Sequence, residues 1–363
     1  MKARARSVDL ARWCGGAWLV AALQGCAAPP PVPLRVGVTT LASPALGAPD
    51  GDGFVAPMVR SPDGAMCGWL DLPYAQVDGA NPAAQSLDLI APSSVIGEAG
   101  PPVRGLPLVL FVHGGGWQTG EKRGAIERRA PAFCGAGFLL ASINYRLAPE
   151  WKHPAQVRDT AAAICWLHDH ARAFGGDPDA LFVMGHSAGA HLAALASVDP
   201  RWLGEHERAL SLIRGQILID GSAYDVIDRS DDRPGAVEMM KPVFGDDVDQ
   251  WADASPVNHV AAGNGIPPAL LLVAGRNPDS GNATKKLADA LKAAGVRAET
   301  AIFPNKTHGS IARELGAPGD PPTLWILDFV AEMSGRPRLN PPPGRVAPKP
   351  VDAAPPQAKA EMR

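Results

Sequence analysis

The sequence predicts an α/β fold with a mostly parallel central sheet and helices on both of its faces. Short apolar runs alternate with segments of roughly 10–20 residues that read as helices, the pattern of successive βαβ units. The runs Leu108–Val112 and Ala269–Val273 are apolar almost throughout, as expected of strands buried on both faces. The chain has 363 residues, of which 46% are hydrophobic, enough for one large α/β domain with tails.

The predicted elements follow one another from residue 86 to residue 333. Short apolar runs predict the strands Ser86–Ile90, Pro107–Val112, Gly137–Ile143, Leu181–Met184, Gly215–Ile219, Pro268–Ala274 and Arg297–Phe303. The longer segments between them predict the helices Arg123–Cys134, Pro154–Phe174, Ala188–Ser197, Ala283–Ala294 and Thr323–Met333. Residues 222–265 interrupt this alternation, and we expect a cap or loop insertion there.

The first 34 residues are expected to be a targeting leader that is not part of the fold. A basic segment precedes the short apolar stretch Gly15–Leu23. The following Leu-Gln-Gly-Cys at 23–26 resembles a bacterial lipobox, in which Cys26 would carry the lipid. We expect an exported lipoprotein on the periplasmic side of a bacterial membrane; export without a lipid is the alternative.

Composition predicts the remaining boundaries. Residues 35–66 read as a flexible tether, 67–335 as the folded domain and 336–363 as a disordered proline-rich tail. A net charge of −3 gives no reason to expect a nucleic-acid partner, and membrane contact is expected only through the lipid. The spacing of the cysteines after the leader does not suggest a metal site; whether Cys67, Cys134 and Cys165 form a disulfide stays open.

A serine lies between a predicted strand and a predicted helix. Gly185–Gly189 is a Gly-x-Ser-x-Gly sequence, which in this setting holds the serine on a sharp, accessible turn. We therefore predict that Ser187 is a nucleophile; the alternative is an ordinary glycine–serine turn.

A serine nucleophile needs a base and a group that orients the base. His308 follows strand Arg297–Phe303 at the sheet edge where catalytic groups collect, and it is the predicted base. Asp279 is the acid in the loop after strand Pro268–Ala274 and is the predicted orienting carboxylate, with Asp225 or Asp228 as substitutes. His186 and His191 are expected to be structural, and His168 and His170 lie on opposite helix faces, which argues against a metal pair.

A glycine-rich segment follows strand Pro107–Val112. In His113–Trp117, three glycines leave backbone N–H groups unshielded, so that they can bind a developing oxyanion. The N–H of Ala188, the residue after the predicted nucleophile, is expected to be a further donor.

Together these residues resemble the hormone-sensitive-lipase-like esterase branch of the α/β-hydrolase superfamily. The motifs that carry the resemblance are His113–Trp117, Tyr145–Glu150, Gly175–Pro178, Gly185–His191 and His308. They look closest to small bacterial carboxylesterases, including acetyl and feruloyl esterases, and are also similar to kynurenine formamidases. The resemblance implies a Ser–His–Asp triad, an acyl-enzyme, no cofactor or metal, and oxyanion donors at Gly115, Gly116 and Ala188.

The sequence departs from the family at the acid. Such enzymes usually carry it three residues after a strand-ending glycine, a place that Pro278 occupies here, one residue before Asp279.

Trp117 and Tyr145 are expected to form apolar walls of the substrate pocket. The predicted function is hydrolysis of small acyl esters by a serine esterase. The alternatives are an arylformamidase acting on N-formylkynurenine, which the export signal disfavours, and a catalytically inactive hydrolase fold that serves as a binding module.

Overall fold

A computed structural model describes residues 58–97, 102–231 and 235–339 of the chain. The predicted leader, Cys26, most of the predicted tether and the tail beyond residue 339 lie outside the described residues.

In the described residues, nine strands form one sheet in the order β1-β2-β3-β5-β4-β6-β7-β8-β9. The pairs β1–β2, β2–β3 and β3–β5 are antiparallel, and all pairs from β5–β4 to β8–β9 are parallel, which agrees with the predicted mostly parallel sheet. Their bounds are β1 Met58–Arg60, β2 Met66–Pro73, β3 Ser86–Pro92, β4 Leu106–Val112, β5 Leu139–Ile143, β6 Gly176–His186, β7 Gly215–Ile219, β8 Ala269–Ala274 and β9 Ala298–Phe303.

Helices cover both faces of this sheet. They are α1 Arg123–Gly135, α2 Ala155–His170, α3 Ala188–Val198, α4 Pro200–Gly204, α5 Val226–Asp231, α6 Ala236–Phe244, α7 Val248–Asp253, α8 Pro278–Ala293, α9 His308–Arg313 and α10 Pro321–Ser334. Short 3₁₀ turns lie at Pro82–Gln85, Ser93–Val95, Ala171–Phe174, Leu210–Leu212 and Pro256–His259. None of the helices in the described ranges is both long and apolar enough to cross a membrane.

The core has two halves because successive strand residues point to opposite faces of the sheet. On β4, Leu108, Leu110 and Val112 join the apolar cluster that includes α2, α3 and α8. Val109 and Phe111 join the cluster that includes α1 and α10. The sheet is therefore buried on both sides, which explains why its strands read as continuous apolar runs.

The structure corrects the predicted boundaries at both ends of the domain. β1 lies within the segment predicted as tether, and it pairs with β2 through the register Met58↔Trp69. Three residues are too short for a periodic signal, so only pairing reveals this strand. At the other end, the backbone N–H of Leu339 donates to the carbonyl of Ala136 at 3.1 Å, so the first residues of the predicted tail contact the domain.

The segment between β7 and β8 is helical. It contains α5, α6, α7 and the turn Pro256–His259, none of which the sequence pattern indicates. The N–H of His153 donates to the carbonyl of Val243 at 2.8 Å, and Arg201 bonds Asp253 at 2.7 Å. These contacts fasten the segment to the body of the domain.

The register of the parallel strands determines which residues meet at the edge of the sheet. His186, the last residue of β6, pairs with Ile219, the last residue of β7. Ser187 and Asp220 therefore leave adjacent strands at the same level, at the carboxyl edge where ligands of open α/β sheets bind.

Candidate active site

Ser187 stands on a strained turn between β6 and α3. Its backbone has φ 56° and ψ −120°, a conformation that L-residues rarely adopt. The turn is possible because two backbone segments approach closely: a Cβ on Gly185 would lie 2.1 Å from the carbonyl oxygen of Gly189. The N–H of Ser187 donates to the carbonyl of Ile219 at 2.9 Å, which holds the turn against β7.

His308 follows β9 and reaches Ser187 across the ends of β8 and β7. Its Nε2 lies 3.0 Å from the Oγ of Ser187, within reach for proton transfer. His308 is the first residue of the short helix α9. Thr307 and Ser310 form a capping box there, each side chain bonding the other's backbone N–H, and this fixes the direction in which the imidazole leaves the backbone.

The carboxylate that bonds His308 belongs to Asp220, which is not among the acids considered from the sequence. Its Oδ2 lies 2.6 Å from the Nδ1 of His308, and the residue is fully buried. The prediction that Asp279 orients the base is therefore wrong. Asp220 directly follows the last residue of β7, the strand that pairs with the strand before Ser187. The signal in the sequence is therefore an acid directly after the predicted strand Gly215–Ile219.

Asp220 stays ionised although it is buried. Burial acts to raise its pKa, but three hydrogen bonds to the carboxylate outweigh burial and hold the pKa below its ordinary value. The donors are His308 Nδ1, the Nδ2 of Asn277 at 2.8 Å and the backbone N–H of Ala274 at 2.9 Å. An anion is thus available to orient the imidazole and to stabilise its protonated form.

The three acids considered from the sequence have other positions. Asp279 lies in the first turn of α8, where the helix dipole favours a negative charge. Asp225 bonds the Nζ of Lys286 at 2.7 Å, and Asp228 pairs with the same amine.

The glycine loop lies directly against the serine. A Cβ on Gly114 would come within 3.2 Å of the Cβ of Ser187. Gly115 has φ 122°, and a Cβ there would lie 2.1 Å from the carbonyl oxygen of Thr119, so the loop requires glycine. Within the described residues, the backbone N–H groups of Gly115, Gly116 and Ala188 donate no hydrogen bond. These predicted donors therefore remain available beside the nucleophile.

A sequence profile of the alpha/beta hydrolase fold matches residues 109–312, more than half of the chain. The chain belongs to this family. The match covers both glycine motifs and all three residues of the relay, and it confirms the family resemblance and the fold class predicted from the sequence.

Several ester hydrolases are similar to this α/β hydrolase in sequence or in fold. The probable carboxylic ester hydrolase LipM of Mycobacterium tuberculosis is 30% identical over 183 residues, which are 47% of this chain and 41% of LipM. Carboxylesterase NlhH of the same organism is 29% identical over 243 residues, 64% of this chain and 72% of NlhH. Among solved structures, esterase B from Lactobacillus rhamnosis superposes with a TM-score of 0.61 at 22% identity, covering 75% of this chain and 87% of that chain, which supports the fold.

In this α/β hydrolase, Trp117 and Tyr145 are not open pocket walls. Their exposed fractions are 3% and 1%. The Tyr145 hydroxyl donates to the carbonyl of His113 at 3.0 Å, and the Trp117 indole N–H donates to the Nδ1 of His191 at 3.2 Å. Both side chains support the glycine loop from beneath. The prediction that they form pocket walls is wrong because other side chains cover both. The ring of Phe244, in the inserted segment, lies 5.0 Å from the ring of Trp117 between centroids, and the ring of His113 stacks on Tyr145 at 4.3 Å.

Two further histidines of this α/β hydrolase have structural contacts: His191 is fully buried and His186 is half-buried. The Nε2 of His186 bonds the backbone carbonyl of His308 at 3.1 Å, and the Nε2 of His191 bonds the carbonyl of Ala254 at 2.7 Å. Burial lowers the pKa of each to about 3, and the neighbouring His308 contributes to the shift at His186. Both are neutral at neutral pH, so each donates one hydrogen bond that holds a neighbouring segment.

Proposed function

We propose that this α/β hydrolase is a serine esterase that cleaves small carboxylic esters through an acyl-enzyme. The observation that carries the proposal is the relay from Ser187 Oγ to His308 Nε2, at 3.0 Å, and from His308 Nδ1 to Asp220, at 2.6 Å. The names of LipM and NlhH as ester hydrolases support the same chemistry. The inactive-module alternative gives no reason for the chain to keep this relay beside unoccupied backbone donors.

The reaction follows from the geometry. His308 Nε2 takes the proton of Ser187 as its Oγ attacks the ester carbonyl, while Asp220 stabilises the imidazolium. The tetrahedral oxyanion is bound by the N–H groups of Gly115, Gly116 and Ala188. The intermediate then expels the alcohol, which receives the proton from His308. Water, activated by the same imidazole, attacks the acyl-enzyme and releases the carboxylic acid and Ser187.

Purified protein tests the proposal with p-nitrophenyl esters of two to twelve carbons. We expect turnover that is highest on short acyl chains. Ser187→Ala should lower kcat by a factor on the order of 10⁵–10⁶, since removing the nucleophile of a triad removes its unit function. Equal turnover by the wild type and Ser187→Ala would reject the proposal.

A formamide substrate assayed beside the acetyl ester tests the arylformamidase alternative, which predicts faster turnover of the formamide.

An active-site probe separates the esterase from an inactive binding module. A fluorophosphonate should modify the wild-type protein at Ser187, and peptide mass spectrometry should locate the adduct. The Ser187→Ala variant provides the matched control. A folded wild-type protein that takes up no probe would favour the binding module.

We also propose that the protein is exported and anchored by a lipid on Cys26, a position outside the described residues. The basic start, the apolar stretch and the Leu-Gln-Gly-Cys sequence at 23–26 support this proposal. Mass spectrometry of the mature N-terminus should find a lipid-modified Cys26 in membrane fractions, and Cys26→Ser should release the protein. An unmodified N-terminus upstream of Cys26 would contradict it.

A further inference from the structure

Asn277 contacts the relay without belonging to it. It lies in the loop after β8, two residues before Asp279, the acid predicted from the sequence. Its Nδ2 donates to the Oδ2 of Asp220 at 2.8 Å and lies 3.5 Å from the Nδ1 of His308. The same carboxylate oxygen therefore receives both the amide of Asn277 and the imidazole of the predicted base.

The local backbone does not account for this orientation. Asn277 is the N-cap residue of α8, a position where an asparagine side chain ordinarily accepts a hydrogen bond from a backbone N–H of the first turn, worth about 1 kcal/mol. Here the side chain makes no capping bond. Its amide is turned toward Asp220 instead.

The bonds around Asp220 show what this contact does. The backbone N–H of Ala274 holds Oδ1 at 2.9 Å, while Asn277 and His308 converge on Oδ2. Without Asn277, the Ala274 bond would be the only fixed support of the carboxylate apart from the bond to His308 itself, and the carboxylate could rotate about its Cβ–Cγ bond. The amide of Asn277 removes this freedom because it holds the oxygen that faces the imidazole.

We infer, on the basis of the proposed esterase function, that Asn277 is a positioning residue that keeps the carboxylate of Asp220 aligned on His308. Its short hydrogen bond goes to Asp220, and it acts on His308 through that carboxylate. An uncharged donor is required there, because a carboxylate at this place would stand beside Asp220 and repel it.

Kinetics of Asn277→Ala test the inference. We expect kcat on p-nitrophenyl acetate to fall about 10- to 100-fold, the usual effect of removing a hydrogen bond to a charged group, with KM changed less than twofold. Asn258→Ala is the matched control because its Nδ2 also makes a 2.9 Å hydrogen bond, to the carbonyl of Ala252, away from the relay. Asn258→Ala should leave kcat unchanged. Asn277→Ala within twofold of wild type would overturn the inference.

A double-mutant cycle with Asp220→Asn asks whether Asn277 acts through the carboxylate. If it does, adding Asn277→Ala to Asp220→Asn should cause no further loss of kcat beyond twofold. If the two losses multiply, Asn277 acts independently and the inference is wrong. Thermal unfolding of each variant verifies that all are folded.

The nearly isosteric Asn277→Asp keeps the shape of the side chain but replaces the donor by an acidic group that repels Asp220. At pH 8, kcat should therefore fall at least as far as in Asn277→Ala, with KM changed less than twofold. A kcat within twofold of wild type would contradict the inference. Ser187→Ala, measured in parallel, separates the two proposals: if it is as active as wild type, the esterase proposal fails, whereas an inactive Ser187→Ala with a fully active Asn277→Ala rejects the positioning role alone.

Discussion

Replacing Asp220 by asparagine should lower kcat by several orders of magnitude while leaving the fold intact. Its Oδ2 lies 2.6 Å from the Nδ1 of His308, which puts the carboxylate and imidazolium charges about 4 Å apart. At an effective dielectric constant of ~20, such a pair gains about 4 kcal/mol, or about 10³ in rate if it forms only when His308 is protonated. An amide can also stabilise the wrong imidazole tautomer, which brings the expected loss in kcat to about 10⁴.

The assay is initial-rate hydrolysis of p-nitrophenyl acetate at pH 8, with thermal unfolding as the check on folding. Asp279→Asn is the matched control: it is the same chemical change on the neighbouring loop, in the first turn of α8, and kcat should stay within twofold of wild type. The reasoning would be refuted if Asp220→Asn lost less than tenfold, or if Asp279→Asn lost more than Asp220→Asn.

Three further predictions concern stability. Arg146→Met should lower the free energy of unfolding by about 3–5 kcal/mol in urea titrations, because Asp159, bonded by Arg146 at 2.8 Å, would be left as an unpaired buried charge; a loss under 1 kcal/mol would contradict this. Gly189→Ala should lower the melting temperature and abolish fluorophosphonate labelling, since the new Cβ would lie 2.1 Å from the carbonyl oxygen of Val112; normal labelling would argue against the close approach. The folded-state pKa of His191 is about 3, below the ordinary 6.5, so the unfolded chain binds more protons and the free energy of unfolding falls as the pH drops below about 6.5. His191→Gln should reduce the slope of the free energy of unfolding against pH by about 1.4 kcal/mol per pH unit between pH 6 and 4. An unchanged slope would refute this prediction.

The fold was largely predictable because its signal is local. Continuous apolar runs identify strands buried on both faces, and Gly215–Ile219 is a strand with the predicted bounds. The elements that were missed lack such a signal. β1 has three residues and is defined by pairing with β2, and α6 carries an internal proline at Pro242. Tertiary contacts decide these segments.

The site was predictable where a residue's role follows from its own neighbours in the chain. Ser187 has its turn glycines beside it, and His308 follows a strand. The acid has no such local signature, because the choice of Asp220 over Asp279 depends on which strands are adjacent. Likewise, Trp117 next to the glycine loop looks like a pocket wall until Phe244, far along the chain, is seen to pack on it.

Because the acid follows β7, the segment that carries His308 must pass over the end of β8. His308 follows β9, Asp220 follows β7, and β8 lies between them, so at about 4.8 Å per strand the imidazole must reach roughly 10 Å back along the edge of the sheet. Gly275, directly after β8, makes this crossing possible: a Cβ there would lie 2.5 Å from the Cα of Pro304. Its N–H donates to the carbonyl of Phe303 at 2.9 Å, which holds the crossing segment down on the strand end. An acid after β7 therefore requires a glycine after β8. A bulkier residue at the end of β8 would lift His308 away from both Asp220 and Ser187.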